Sequence, residues 1–355
     1  MTSPGRRRAQ VVGTGLIGAS IALGLRERGW HVTGADTDAD RADQARRRGA
    51  LDAVGEDGAA EVTFVATPVA TVADAARRAV AGGGVVTDVG SVKAPVVAAV
   101  GSPRFIGGHP MAGSEQEGLA GADGSLFEGA TWVLTPTQHT DPAAYARVQA
   151  VVSSLGASVV AIPPERHDAL VALVSHVPHL TAASLMCLAA EGAVGDATLL
   201  RLAAGGFRDM TRVAAGHPGI WPDICAANRQ AIVEVLDGLV ASLAVVRRVV
   251  AAGDRAGLLR MLEAARAARV SLPARVAHPE DLAELRVPVA DRPGVLAEVT
   301  TLAGELDVNI ADLEIAHSAE GDRGVLLLVV DAADADRLRA ALGRRGYRPS
   351  VRPLT

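Results

Sequence analysis

From Ala9 to Ala161 the chain alternates two patterns. Short apolar runs without polar alternation recur, and most are followed by segments whose apolar residues return every three or four positions. The runs at Ala9–Gly13, His31–Ala35, Glu61–Ala66, Gly84–Asp88, Phe105–Gly108, Thr131–Leu134 and Ser158–Ala161 predict strands. An unbroken apolar run is what a parallel strand needs when helices cover both faces of its sheet. Leu16–Arg28 and Ala70–Val80 carry the helical period between them. The alternation predicts an α/β domain with a doubly wound, Rossmann-type sheet.

Beyond Glu165 the strand pattern ends. Ala/Leu/Val-rich helices are predicted at Glu165–Glu191, Ala197–Gly205, Trp221–Ala252 and Asp254–Val270. Gly205-Gly206 and Gly216-His217-Pro218-Gly219 act as breakers between them. Val240–Val250 is apolar nearly all round, so these helices are expected to pack on one another and on a second subunit, giving a homodimer. Ser271-Leu272-Pro273 and His278-Pro279-Glu280 bracket a linker. A third rhythm follows: strand Leu285–Ala290, helix Gly294–Leu306, strands Val308–Ala316 and Arg323–Val330, helix Ala332–Gly343 and strand Tyr347–Arg352. That is a ferredoxin-like βαββαβ unit. The expected domains are 1–163 (dinucleotide-binding), 164–275 (all-α) and 284–355 (ferredoxin-like), with 276–283 as linker.

Composition narrows this picture. With 355 residues, 49% hydrophobic and 21% charged, the chain is long for one core and reads as an ordinary soluble protein. A net charge of −5 gives no reason to expect nucleic acid. Arg6–Arg8 reads as a solvated leader, and no apolar stretch follows it, so no secretory signal is expected. Cys187 and Cys225 lack metal-ligand spacing and read as small core hydrophobes in a reducing compartment. Leu170–Ala190 is long enough to raise a membrane span. Its Ser175, His176, Pro178 and His179 instead fit a buried helix carrying site residues, so the expectation is a cytoplasmic protein with no membrane partner.

Gly13-Thr14-Gly15-Leu16-Ile17-Gly18 follows a strand and opens a helix. Gly13 permits the tight turn, Gly15 lets the backbone approach a pyrophosphate, and Gly18 allows close helix–sheet packing. The helix N-terminus then faces the phosphates with its positive end. Asp36, at the end of the second strand, is placed to accept from ribose hydroxyls. A carboxylate there repels a 2′-phosphate, and the next Arg is Arg41, so NAD is favoured over NADP. Thr67-Pro68 ends the next parallel strand and borders the same site.

Ligands of doubly wound sheets gather at the carboxyl ends of strands. Ser91 and His109 follow two such ends, and an imidazole is the side chain best suited to take a proton near neutral pH. Between them stands Lys93, the single lysine of the chain. Downstream, His176 and His179 are three apart on one helix face; taken alone, they suit core positions as well as ligands. The intervening Pro178 frees the carbonyl of Val174. Arg212 follows a Gly-Gly turn and can bind a carboxylate bidentately. No third ligand has metal spacing, so no metal is expected.

These motifs carry a resemblance. Gly13–Gly18, Asp88-Val-Gly-Ser-Val-Lys93, Gly107-Gly-His-Pro-Met-Ala-Gly-Ser-Glu115, Ser175-His-Val-Pro-His179, Gly205-Gly-Phe-Arg-Asp-Met-Thr-Arg212 and Trp221 occur in one order. Over residues 9–270 the chain resembles the prephenate/arogenate dehydrogenase family of tyrosine biosynthesis. The resemblance implies NAD(P)-dependent oxidative decarboxylation of a dicarboxylate cyclohexadienol. Prephenate would give 4-hydroxyphenylpyruvate; arogenate would give tyrosine. It implies that His109 takes the C4 hydroxyl proton, that Ser91 hydrogen-bonds that hydroxyl and orients the histidine, and that Arg212 binds substrate. Substrate-side roles follow for His176, His179, Ser114, Glu115, Trp221 and Lys93, with Glu115 gating the pocket or reading an amino group. Arg208 falls where relatives often carry lysine, which leaves its role open. The tail, with Asp291-Arg-Pro-Gly-Val-Leu296 and Val308-Asn-Ile-Ala-Asp-Leu-Glu-Ile315, resembles an ACT domain. Asp291, Pro293, Gly294 and Asn309 are then the effector-site candidates, and tyrosine the candidate effector.

Two other readings stay open at this stage. A β-hydroxyacid-type dehydrogenase would place a catalytic lysine on the interdomain helix, and no lysine follows Lys93. A non-catalytic amino-acid sensor on a dehydrogenase scaffold would not need Ser91, His109 and Arg212 together.

Overall fold

The unbroken apolar runs near the N-terminus become the centre of an eight-stranded sheet. In the computed structural model, residues 6–112, 118–195, 198–270, 282–290, 292–317 and 323–353 are described. The chain divides into two compact units, residues 1–188 with 211–242 and residues 189–210 with 243–355. The first unit opens with β1 (Arg8–Val12), α1 (Leu16–Glu27), β2 (His31–Ala35), α2 (Ala39–Arg47) and β3 (Ala53–Val54). It continues with β4 (Val62–Val65), α3 (Val69–Ala81), β5 (Val85–Asp88), α4 (Ala94–Val100) and β6 (Phe105–Pro110). β7 (Thr131–Thr135), α5 (Pro142–Ser154) and β8 (Ser158–Ala161) complete the sheet.

Its strand order is β3-β2-β1-β4-β5-β6-β7-β8. The winding therefore reverses between β1 and β4, the kind of crevice where such sheets take ligands. Val11, Val32, Phe64 and Val86 are fully buried in it, as a sheet covered on both faces requires. The sheet is not parallel throughout. β7 runs antiparallel to β6, with His109 opposite Val133. Among the described residues their connection holds only a short 3-10 turn at Gly118–Gly121 and no α-helical crossover of the kind parallel neighbours need. Nor is Arg6–Arg8 a solvated leader. Arg8 begins β1 and pairs with Asp57 at 2.9 Å, while the Arg7 guanidinium lies 4.0 Å from the Trp30 ring centre.

The predicted helix Glu165–Glu191 is interrupted. α6 (Pro164–Val171) passes through a π-type turn at Ala172–His176 into α7 (Val177–Gly195). Pro178 has no N–H for the Val174 carbonyl, and the Val177 N–H reaches back to Ala172 instead, the wider step of a π bulge. After α8 (Thr198–Arg201), the Gly-Gly pair expected to break a helix opens α9 (Gly205–Thr211). The predicted helix Trp221–Ala252 divides at Asn228 into α10 (Trp221–Ala227) and α11 (Arg229–Ala251), ahead of α12 (Arg255–Val270).

Pro164–Val194 is long and apolar enough to span a membrane by length and composition. Ala172, His176 and Ala182 are buried on its inner side, whereas Leu173, Val174, Leu188 and Val194 are exposed, so it is not buried all round as expected. Cys187 is exposed and Cys225 half-buried, which removes Cys187 from the core. Val240, Leu243 and Val250 of α11 and Leu259 and Leu262 of α12 also face outward.

In the second unit, β9 (Leu282–Ala290), α13 (Val295–Glu305), β10 (Ile310–His317), β11 (Arg323–Asp331), α14 (Ala332–Arg344) and β12 (Ser350–Pro353) form the expected βαββαβ arrangement. Its antiparallel sheet has the order β10-β11-β9-β12. Leu285 and Val287 of β9 alternate inward with Leu326 and Leu328 of β11, against Val299, Leu302, Leu338 and Leu342 of the two helices. The period-2 pattern thus buries one face, while the other carries Glu284 and Arg286 of β9 beside half-buried Val325, Leu327 and Val329 of β11.

Candidate active site

The cofactor and catalytic candidates lie within the first unit, beginning at the β1–α1 turn. Gly13 has φ +94°, and a Cβ there would sit 2.4 Å from the Ala66 carbonyl oxygen. A Cβ on Gly18 would lie 2.0 Å from the Gly13 oxygen. Both must be glycine for α1 to rest on β1 and β4. Gly15 differs, since nothing lies within 4 Å of a Cβ placed on it. It caps α1 without a side-chain hydrogen bond, so the N–H groups of the first turn, with half-buried Leu16 and Ile17, remain to meet an anion.

Asp36 closes the crevice. Its Oδ2 accepts from the Thr14 N–H at 2.8 Å and the Thr14 hydroxyl at 3.0 Å, and its Oδ1 from the Asp38 N–H at 3.0 Å. Burial by itself raises its pKa, but these donors and Arg41, 3.7 Å away, outweigh it and hold the carboxyl below its ordinary value. At the end of β4, ahead of exposed Pro68, Thr67 has a buried Oγ1 with no partner among the described residues. Open glycine backbone, an ionised Asp36 and an orphaned hydroxyl fit a dinucleotide with a free ribose 2′-hydroxyl. Gly15→Ala should therefore leave the unfolding midpoint unchanged while weakening NAD roughly ten-fold or more, read by fluorescence titration. Gly18→Ala should lower the midpoint as well.

The catalytic candidates are held by buried charge. β5 ends at Asp88, which is fully buried, as is Lys93. Asp88 accepts from the Gly90 N–H at 2.9 Å and the Gly108 N–H at 3.1 Å. The Lys93 ammonium donates to Asp88 and, at 2.8 Å, to the Gly108 carbonyl. Burial pulls the Lys93 pKa down, and Asp88 opposes that shift. Direct substrate contact, expected for Lys93 from its motif, is thus replaced by a tie between the half-buried Ser91 loop and the His109 strand. The Gly107-Gly108 pair is explained too. A Cβ at Gly107 would meet the Thr135 hydroxyl at 2.4 Å, and one at Gly108 the Asp88 carbonyl at 2.6 Å.

His109 follows at the end of β6, half-buried. Its Nδ1 lies 2.9 Å from Nε2 of His167, whose own Nδ1 lies 2.8 Å from Asp168 Oδ1. Among the described residues, His109 thus shares its hydrogen bond with His167 and not with Ser91. Burial, then His167, Lys93 and His176, hold the His109 pKa well below its ordinary 6.5. Asp168 also accepts the N–H groups of Lys93 and Ala94, each at 2.8 Å, capping α4 from 74 residues away. Sequence reading passed over His167 and Asp168. The one available signal was a His-Asp pair in the first turns after the last strand of the sheet.

His176 is buried, and its Nδ1 faces the Asn228 amide at 3.2 Å. Burial lowers its pKa to about 4, so it enters the site neutral. His179 stacks on Trp221 at 3.7 Å between ring centres, and His176 meets the same indole edge-on at 6.2 Å. Helix spacing thus brings both histidines to one tryptophan. Arg212 is exposed at the head of the short turn Arg212–Ala215. Arg208 is exposed and donates to the Ala203 carbonyl at 3.0 Å. Ser114, Glu115 and Asp291 lie outside the described residues. Pro293, Gly294 and Asn309 are exposed in the second unit.

Comparison with known proteins identifies the domains. Residues 21–161 match the family described as prephenate dehydrogenase, nucleotide-binding domain. Residues 163–264 match prephenate dehydrogenase, dimerization domain, and residues 283–346 match the ACT domain. Prephenate dehydrogenase of Bacillus subtilis is 33% identical over 348 residues, 93% of each chain. The Aquifex aeolicus prephenate dehydrogenase, solved with hydroxyphenyl propionate and NAD+, superposes with a TM-score of 0.71 at 28% identity. That match covers 77% of this chain and 100% of the other. Synechocystis arogenate dehydrogenase gives 0.65 at 32% identity, covering 74% and 98%.

Proposed function

The chain belongs to the prephenate dehydrogenase family, and on that premise we propose that it carries out the NAD-dependent oxidative decarboxylation of prephenate to 4-hydroxyphenylpyruvate. The observation that carries this reading is His109 at the mouth of β6, backed by His167 at 2.9 Å and held in its neutral form by its surroundings. Gly13, Gly15, Leu16, Ile17, Gly18, Asp36, Thr67 and Pro68 bind NAD, which when bound accepts the hydrogen and electron pair of the substrate's C4–H bond. His109 takes the C4 hydroxyl proton as that carbon becomes carbonyl-like. Ser91 donates its own O–H to the oxygen of the same hydroxyl. The C1 carboxylate leaves as CO₂, its bonding pair completes the aromatic ring, and the phenol oxygen ends protonated. Arg212 binds a carboxylate with its guanidinium fork; His176, His179 and Trp221 line the substrate side, and the motif gives Ser114 and Glu115 substrate roles as well.

Arogenate is the second candidate substrate, supported by the likeness to the Synechocystis enzyme. The exposed apolar residues of α11 and α12 suit a homodimer, in keeping with the matched dimerization domain. A cytoplasmic location is the reading that goes with a dehydrogenase of this family. In the tail, Gly294 has φ +87° and caps α13 without a side-chain bond. With Asp291, Pro293 and Asn309 it forms the candidate effector site, and tyrosine is the proposed effector.

The test is NADH formation with prephenate and, separately, arogenate, each with and without tyrosine. Turnover of prephenate that tyrosine lowers is the expected result. Turnover of arogenate alone would transfer the reading to that substrate. Silence with both would overturn it, and indifference to tyrosine would remove the effector assignment.

A further inference from the structure

Two site histidines share one neighbour, and the hydrogen bonds around that neighbour fix where each ring carries its proton. We infer that Asp168 and Asn228 form a hub that sets His109 and His176 in opposite tautomers, His109 with a free Nε2 lone pair and His176 with an Nε2–H. The inference rests on the proposed role of His109 as proton acceptor and adds three positioning residues, His167, Asp168 and Asn228.

The chain of assignments starts from groups with no choice. The Asp168 carboxylate receives two backbone N–H groups, Lys93 at Oδ1 and Ala94 at Oδ2, so it serves as an acceptor. The third group on it, His167 Nδ1 at 2.8 Å, must donate. A neutral imidazole carries one N–H, so His167 Nε2 holds a lone pair. The atom 2.9 Å from that lone pair is His109 Nδ1, which must in turn donate. Its one proton thus spent, neutral His109 keeps its Nε2 lone pair for the substrate hydroxyl. When that proton arrives, the O–H bond breaks and an Nε2–H bond forms. The new cation is then held through Nδ1–H by His167, with the Asp168 carboxylate behind it.

The same residue governs the second ring by its main chain. Asn228 Nδ2 lies 2.9 Å from the Asp168 carbonyl oxygen. A carbonyl only accepts, which fixes the amide's orientation. Its other N–H points to His176 Nδ1 at 3.2 Å, so that nitrogen accepts and His176 is protonated at Nε2. Nε2 is buried and has no partner among the described residues. An N–H donor left open in this way suits an oxygen acceptor, a carboxylate or carbonyl of the substrate. The break at Asn228, between α10 and α11, is what brings this amide to both groups.

Nitrogen-15 spectra of the full chain, labelled at the histidine rings and recorded at neutral pH, test the assignment without requiring turnover. Signals are assigned by their loss in His109→Asn and His176→Asn. His109 should show a protonated Nδ1 and a bare Nε2, and His176 the reverse. A proton on His109 Nε2, or the same tautomer on both rings, would overturn the inference even if prephenate is oxidised normally. In kinetics, Asp168→Asn should cut kcat by roughly 10²–10⁴-fold, as loss of a tautomer-setting aspartate does elsewhere, with KM little changed. Asn228→Ala should instead act mainly on KM, raising it roughly ten-fold. Equal losses of kcat and KM in both variants would mean that the hub is only scaffolding. If Asp168→Asn fails to fold for want of the α4 cap, the wild-type spectra still decide. A chain silent with every substrate would sink the proposed function but leave the tautomer result standing.

Discussion

Replacing His109 with asparagine is expected to lower kcat for prephenate by about 10²–10⁴-fold, the usual contribution of a positioned general base. The loss should fall on kcat and kcat/KM together, because the proton is transferred only in the transition state. NAD affinity should stay within about two-fold, since the β1–α1 turn and Asp36 make no hydrogen bond to His109. The pH dependence gives a sharper check. His109 is faced by His167, Lys93 and His176 and is partly desolvated; each of these disfavours the imidazolium. The base form therefore persists below the ordinary histidine range, and the acid limb of kcat/KM should lie well under pH 6.5 in the wild type. The residual activity of His109→Asn should lack that limb. A wild-type limb at 6.5 or above, or a variant retaining more than about a tenth of wild-type kcat, would rule out His109 as the base.

The same groups carry a stability signature. His176 titrates near 4 in the folded chain against 6.5 unfolded, and His109 is shifted in the same direction. Between those values the unfolded chain binds more protons than the folded one, so stability rises with pH and levels off above about 6.5. Urea midpoints across that window should climb less steeply in His109→Asn than in the wild type.

How far this site was legible in the sequence depends on the range of each contact. Gly13 and Gly18 were readable because the constraint on each is a neighbouring backbone atom in a local turn. Strands His31–Ala35 and Ser158–Ala161 have the predicted bounds, the first because its burial is written in its own residues. The π-type turn was half legible. Pro178 announced a freed carbonyl at Val174, but whether the helix kinks, ends or widens depends on packing around Ala172 and Val177. His167 and Asp168 were not legible at all. Their meaning comes from α4 and β6, 58 to 75 residues away, and nothing in the local pattern distinguishes His-Asp on a helix from a solvated pair. Lys93 shows the opposite failure. Its singularity marked it as important, but one sequence position cannot tell an ammonium that meets substrate from one that meets a buried carboxylate.

That buried carboxylate makes Lys93 the position where a single substitution should cost the fold most. Lys93→Met removes the ammonium but leaves Asp88 fully buried, with only the Gly90 and Gly108 N–H groups against its charge. Breaking one side of a buried pair typically costs about 3–5 kcal/mol, a large share of the stability of an ordinary domain. The unfolding transition reported by the buried Trp132 should move to markedly lower urea. Activity should fall as well, by on the order of 10²-fold for a misplacement near 1 Å, because the Gly108 carbonyl beside His109 loses its donor. Lys93→Arg should not rescue either property. The site has no exposed surface to receive a longer, planar guanidinium, and its geometry suits a point charge. The double variant Lys93→Met/Asp88→Asn separates charge from shape. Its amide keeps an acceptor for one glycine N–H and carries no buried charge, so part of the lost stability should return while kcat stays low. If Lys93→Met unfolds at the wild-type midpoint, the pair is not holding the β5 and β6 ends together, and the lysine must be sought in another role.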